Sequence, residues 1–312
     1  MIKNIPLLSL IIFTLLFSNA VNSQLRNDVN QYMMYQPLVN YASASSYEEL
    51  SAALYYRNQW VGFEGAPVNY ALQVALPLTA KNSSFGLRFI RDEIGVRKTD
   101  VVSLNYGYRV KLTDKSYLSF SLSPKIGFLK ETRSQLTAEN ELDPLTGNDL
   151  QKNGLFNAEI GTYYFRNNFY LGGAVPSLLR NNLIGSDNVD TYFDFTGLEW
   201  FIHSGYEWKL KGRNHFNVSG LFKSDKGASL HGEVNLMYQM NDKRLGVGAS
   251  YRTTKALVAL VKFSMFEKLS LSYSYQYDFS DLAKYQNGSH ELMLIFERRT
   301  QRDLVKINVP RF

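Results

Sequence analysis

Between Leu269 and Asp278 the chain alternates. Leu269, Leu271, Tyr273, Tyr275 and Tyr277 take one parity, and Ser270, Ser272, Ser274, Gln276 and Asp278 take the other. A period of two gives a strand one greasy, aromatic face and one wet face. The pattern recurs from about His215 to Phe296 in short segments separated by turns of a few residues, with no helical stretch to cover either face. A closed sheet in lipid is the economical solution. A bilayer offers no water to unpaired backbone groups, so strands cross it as a barrel with apolar residues outward and polar ones toward the lumen.

The same reading carried along the chain predicts strands over 50–57, 68–77, 85–92, 99–110, 117–130, 154–165, 169–176, 198–210, 215–223, 229–240, 245–252, 256–265, 269–278 and 290–297. That is about 14 antiparallel strands in an all-β, up-and-down transmembrane barrel of the outer-membrane type. Parity assigns the faces. Val102, Leu104, Tyr106, Tyr108 and Val110 are expected outward, and Ser103, Asn105, Gly107 and Arg109 inward. In the next strand Leu118, Phe120, Leu122, Pro124, Ile126 and Phe128 oppose Ser119, Ser121, Ser123, Lys125 and Gly127. Serine, glycine and lysine suit a hydrated lumen better than a dry core. The strands at 117–130 and 198–210 are longer than a membrane needs and are expected to project. The 21 Tyr and 20 Phe are as many as two aromatic girdles would use.

Tight polar connections, such as Arg166-Asn167-Asn168 and Asn241-Asp242-Lys243, alternate with mostly longer ones at 58–67, 131–153, 177–197 and 279–289. Short periplasmic turns and long external loops are what outer-membrane barrels show. With an even strand count both termini are expected in the periplasm.

Ahead of the barrel, Lys3, a mainly apolar run from Ile5 to Phe17 and the small residues from Ser18 to Ser23 read as a secretory signal peptide over 1–23. That run is too short to span as a helix, and no later stretch reaches the ~20 apolar residues required. Residues 24–49 are expected as a periplasmic segment, 50–297 as the barrel and 298–312 as a periplasmic tail. The tail carries Arg298, Arg299, Arg302, Lys306 and Arg311 against Asp303, within a chain of net charge +6. An exported barrel meets no nucleic acid, so the tail is either a docking arm for a partner or a solubilising end. Cys is absent, which excludes a disulfide framework, a thiolate metal site and a lipoprotein anchor.

Catalytic and metal readings find little support. His203, His215, His231 and His290 show no ligand spacing, and His290 beside Glu291 on a strand points to the opposite face. Ser186-Asp187-Asn188-Val189-Asp190 lacks a full oxygen-ligand loop for Ca²⁺. No enzyme activity, cofactor or metal is expected. The acidic loop 131–153 either folds over the mouth of the barrel or extends into solvent.

Several stretches carry a family likeness: Gln31-Tyr32-Met33 and Pro37-Leu38, then Tyr56-Arg57-Asn58-Gln59-Trp60-Val61-Gly62-Phe63-Glu64-Gly65-Ala66-Pro67. It returns over Gly246 to Arg252, Ser272 to Tyr277, and Ser280 to Glu291, with Gly288-Ser289-His290-Glu291 at the end. Through these the chain resembles the PorP/SprF family of type IX secretion system membrane proteins of gliding and protein-secreting Bacteroidota. After Asn40 it departs from the pattern, reading Tyr41-Ala42-Ser43. The resemblance implies a non-enzymatic outer-membrane accessory that assists secretion or surface attachment of large cargo such as gliding adhesins. Its implied partners are outer-membrane lipid, that cargo and periplasmic components of the secretion machine. A diffusion porin or uptake channel is the competing class. Within the first block, Arg57 and Trp60 are of the types that dominate binding hot spots. Equally, Gly62, Gly65 and Pro67 can set a fixed turn that Trp60 and Phe63 pack down.

Overall fold

A computed structural model describes residues 29–78, 81–135, 149–182, 190–193, 198–224 and 230–298. The leader expected over 1–23, the tail beyond Arg298, and the loop centres that include Glu139, Glu141, Asp143 and Ser186 to Val189 lie outside them.

The strands are β1 (Ser51–Asn58), β2 (Val68–Leu78), β3 (Ser83–Ile94), β4 (Arg97–Thr113), β5 (Ser116–Glu131), β6 (Leu150–Arg166), β7 (Phe169–Val175) and β8 (Leu179–Asn182). They continue as β9 (Asp190–Phe193), β10 (Trp200–Lys209), β11 (His215–Ser224), β12 (His231–Met240), β13 (Leu245–Arg252), β14 (Ala256–Phe266), β15 (Leu269–Asp278) and β16 (Ser289–Glu297). All but β8 and β9 form one closed antiparallel barrel, each strand beside its neighbour in sequence, with β7 next to β10. The first and last strands close it, from Ser51 opposite Glu297 to Asn58 opposite His290. The fourteen strands expected from periodicity are the fourteen of the barrel. β8 and β9 form a separate hairpin in what reads as plain loop.

Parity decides the faces as expected. Ser103, Asn105 and Arg109 are buried inward, while Leu104, Tyr106 and Tyr108 are exposed on the outer wall. Ser119, Ser121 and Ser123 lie inside, opposite in facing to Phe120 and Leu122. Outward aromatics gather in two belts. Tyr56, Tyr70, Tyr251 and Tyr277 ring one end, and Tyr108, Phe169, Trp208 and Phe266 ring the other. Amphipathic rings at both rims are what a bilayer's interfaces select.

The connections divide by end. Two-residue turns such as Asn167-Asn168 and Glu267-Lys268 close one end, where β1 begins and β16 finishes. Asn167 takes the left-handed conformation (φ 51°) that such a tight hairpin demands. The connections 59–67, 132–149, 176–199 and 279–288 all lie at the other end. The wall there is uneven. β4 and β6 run 17 residues and β5 runs 16, against 7 for β7. The projection expected for 117–130 is matched by β5, but β10, at 10 residues, stays short. At the long-loop end β3 and β4 are joined by the pairs Arg91–Asp100 at 2.7 Å and Lys98–Glu93 at 3.4 Å.

One expectation changes. The segment placed ahead of the barrel and in the periplasm lies, over residues 29–47, inside the bore. Asn30 to Leu38 and Asn40 to Tyr47 are buried, folded into short 3-10 turns at Gln36–Leu38 and Tyr41–Ser46. The reason is one of dimensions. Side chains alone fill a barrel of about eight strands, and a wider one must hold water or more chain. Tyr32, Met33, Met34, Tyr35 and Leu38 pack there against Ala53, Tyr55, Tyr163, Phe165, Met237 and Met293 of the wall. The interior is therefore a packed core in its middle, not the uniformly hydrated lumen that the serines suggested.

Candidate functional site

The site is assembled where the barrel closes. Arg57, next to last in β1, points inward and is completely buried, 3.4 Å from the Glu291 carboxylate of β16. Arg57 also donates to Gln276 Oε1 at 3.5 Å, and Arg252 of β13 donates to the same oxygen at 3.3 Å. Arg252 pairs with Glu233 of β12 at 2.8 Å, and Gln276 Nε2 donates to Asp278 at 2.8 Å. Charges this dry are tolerable only when paired and hydrogen-bonded. Four of the stretches that carry the family likeness thus contribute Arg57, Arg252, Gln276 and Glu291 to one network. Asn30, just ahead of the Gln31-Tyr32-Met33 stretch, joins them through its backbone N–H, which donates to Glu291 Oε1 at 3.0 Å.

Above the seam, residues 59–67 form a fixed turn. Gln59 N–H bonds Pro67 O at 2.9 Å, Phe63 N–H bonds Trp60 O at 3.0 Å, and Ala66 N–H bonds Phe63 O at 3.2 Å. The turn is stitched to the β15–β16 connection. Trp60 N–H donates to Ser289 Oγ at 3.1 Å, Val61 N–H to Gly288 O at 2.9 Å, and Asn287 N–H to Val61 O at 2.7 Å. Gly62 and Gly65, at φ +93° and +73°, supply the left-handed positions that let the turn fold back. Asn58 ends β1 opposite His290, and Tyr56 faces outward beside Tyr70 at 5.3 Å between ring centroids. Arg57 therefore lies in the bore, out of reach of anything outside. Tyr56 is exposed on the outer wall, and Gly62, Phe63, Glu64 and Gly65 are the exposed members of the turn. His290 faces outward against Tyr273 while Glu291 faces in. Of the basic tail only Arg298 is described, its N–H on Leu50 O at 3.0 Å at the short-turn end.

A second cluster grips the same segment from the other wall, and no motif pointed to it. Arg88 of β3 pairs with Glu159 of β6 and donates to Leu38 O at 2.8 Å. Arg109 donates to Ser45 O at 3.0 Å. Tyr163 donates to Gln36 Oε1 at 2.6 Å, and Asn40 Nδ2 donates to Thr162 O at 3.0 Å and lies 3.1 Å from His203 Nε2. The available signal was inward parity: Arg88 shares a face with Ser84 and Gly86, and Glu159 with Gly161 and Tyr163.

At the long-loop end the bore opens into a vestibule of about 460 Å³, floored by Tyr32 and Leu38 and walled by Asn69, Asp92, Lys125 and Asn157 among others. Lys125 Nζ bonds Pro176 O at 2.6 Å and Ser177 Oγ at 3.1 Å, tying the β7–β8 connection to the wall. The arrangement is a rigid, hydrogen-bonded scaffold around a polypeptide, with a polar chamber above it.

The family described as type IX secretion system membrane protein PorP/SprF matches residues 21–296. No curated protein matches the chain. Among solved structures the chain is similar to the Acinetobacter baumannii outer membrane protein Omp33 (7% identity, 80% of this chain and 98% of that one, TM-score 0.48). It is also similar to a Pseudomonas aeruginosa FadL homologue (10%, 89% and 96%, 0.47) and to the Ralstonia pickettii toluene transporter TbuX (9%, 85% and 92%, 0.49).

Proposed function

The chain belongs to the PorP/SprF family of type IX secretion system membrane proteins, and on that premise we propose that it is a non-enzymatic outer-membrane accessory assisting secretion or surface attachment of large cargo proteins such as gliding adhesins. The observation that carries the reading is the convergence of the family-like stretches on a buried network that locks the barrel shut around its own residues 29–47. A barrel so filled acts as a rigid platform in the membrane. Its long loops face outside and its short turns the periplasm, as is general for such barrels. Cargo is met at the vestibule and the loops around Trp60 and over 131–197. The basic tail starts at the short-turn end, where it is placed to dock on a periplasmic component of the secretion machine.

Deleting the gene and comparing cell-surface proteins with those in the medium tests this. Loss of one or a few large adhesins from the surface, with small-solute uptake normal, is the expected result. An intact surface inventory with reduced uptake would overturn it in favour of a diffusion porin.

A further inference from the structure

Residues 29–47 fill the bore, yet the barrel's ladder does not run through them. β1 and β16 close the sheet without help from the segment, from Ser51 opposite Glu297 to Asn58 opposite His290. The segment's backbone bonds are largely to itself: Met34 N–H to Gln31 O at 2.9 Å, Asn40 N–H to Gln36 O at 2.9 Å, Ser43 N–H to Asn40 O at 3.1 Å, and Tyr47 N–H to Ala44 O at 3.1 Å. What holds it to the wall is side-chain work. A unit that satisfies its own backbone can leave without exposing strand edges.

The seat is shaped for it. At four wall positions glycine leaves room that a Cβ would take away. A methyl at Gly86, Gly107 or Gly172 would crowd the wall first, at Val74 O, Ser84 Oγ and His203 Nε2, and would also come within 2.6 Å of the Tyr41 hydroxyl, 2.8 Å of Ser45 Oγ and 2.9 Å of Asn40 Nδ2. At Gly161 it would collide with Asn40 Oδ1. Against this fit stands a cost. The side-chain amides of Asn30 and Gln31 are buried without a hydrogen-bond partner among the described residues, and a buried unpaired polar group is destabilising. The wall behind the segment is also unusual for a permanent core. On the β2–β5 side it presents Gln73, Ser84, Ser103, Asn105, Ser119 and Ser121, which water solvates well.

We propose that residues 29–47 are a displaceable plug, and that the vacated bore conducts hydrated ions and small polar solutes. This goes beyond the secretion reading and does not rest on it. The plug is joined to β1 by Glu48, Glu49 and Leu50 alone, so a displaced segment stays close to its seat and recloses.

Purified full-length protein in planar bilayers tests the proposal. The chain has no cysteine, and the hydroxyls of Ser45 and Ser84 lie 3.0 Å apart, so S45C/S84C supplies a single lock within disulfide reach. Native protein should show rare, brief openings. Gly161→Leu, which evicts Asn40 from its seat, should raise the open fraction at least tenfold. In the triple variant G161L/S45C/S84C the oxidised form should be silent and reductant should restore the openings. The proposal is overturned if folded G161L and a folded deletion of residues 29–47 are both as quiet as native protein. It is equally overturned if the oxidised lock conducts like the reduced one. Should G161L fail to fold, oxidised and reduced S45C/S84C decide: openings that vanish on oxidation support the plug, and identical records sink it.

Discussion

Two buried Arg–Glu pairs hold the plug, one between β1 and β16 and one between β3 and β6, and they hold it by opposite groups. At the seam Arg57–Glu291 offers a carboxylate, which accepts the backbone N–H of Asn30 at 3.0 Å. Between β3 and β6 Arg88–Glu159 offers a guanidinium, which donates to the carbonyl of Leu38 at 2.8 Å. The seam pair sits in a network with Gln276 and Arg252 and is wholly buried; Arg88 retains slight exposure. The difference teaches that one pair serves barrel closure as well as the plug, while the other serves the plug and the β3–β6 wall. Their loss should therefore have unequal consequences.

The largest effect is expected for Glu291→Ala. It strands Arg57 in a dry site and removes the acceptor of Asn30, at a cost of about 3–5 kcal/mol, the range for breaking a buried pair. Denaturant unfolding of the folded barrel measures it, and a double-mutant cycle with Arg57→Ala should show strong coupling. Glu159→Ala should cost less, about 2–3 kcal/mol, because Arg88 keeps its bond to Leu38 O, and charged hydrogen bonds are worth roughly 1.5–3 kcal/mol. Equal losses in the two variants would erase the distinction between the walls.

Trp60→Ala sharpens the comparison from above the seam. The stitches there run through the backbone of residue 60 and through Val61, Gly288 and Ser289, so the barrel should assemble with stability changed by about 1 kcal/mol or less. Display of surface cargo should fall nonetheless. Unchanged display would remove Trp60 from the binding surface.

The smallest effect is expected at the short-turn end. Arg213 on the β10–β11 turn bonds Asp242 on the β12–β13 turn and holds its carboxyl below the usual carboxylate range, at a fully exposed site. A depressed carboxylate contributes stability above its unfolded pKa of ~3.9 and loses it as pH falls through the lower folded value. Arg213→Ala should thus unfold nearly as native protein does at pH 7, and any small gap should close on acidification below about pH 4. A gap that widens in acid would contradict the assignment.

Much of this was legible in residue order. Period-two alternation located every barrel strand and decided which side of β4, β5 and β15 meets lipid. The likeness around Tyr56–Pro67 and Gly288–Glu291 singled out Arg57 and Glu291 one by one, while their buried pairing appears only in the structure. Arg88, Glu159 and Asn40 left no such mark, because each depends on a neighbour supplied by distant chain.

The division has a physical cause. Facing in a strand is a local property, set by the pleat from one residue to the next, so the sequence by itself determined an antiparallel barrel with a greasy exterior and a polar interior. What occupies that interior was decided by tertiary structure. Glu291 meets Asn30 across 261 positions and Arg88 meets Glu159 across 71. Such encounters exist only once register and closure set the width of the bore and leave a space that residues 29–47 fit.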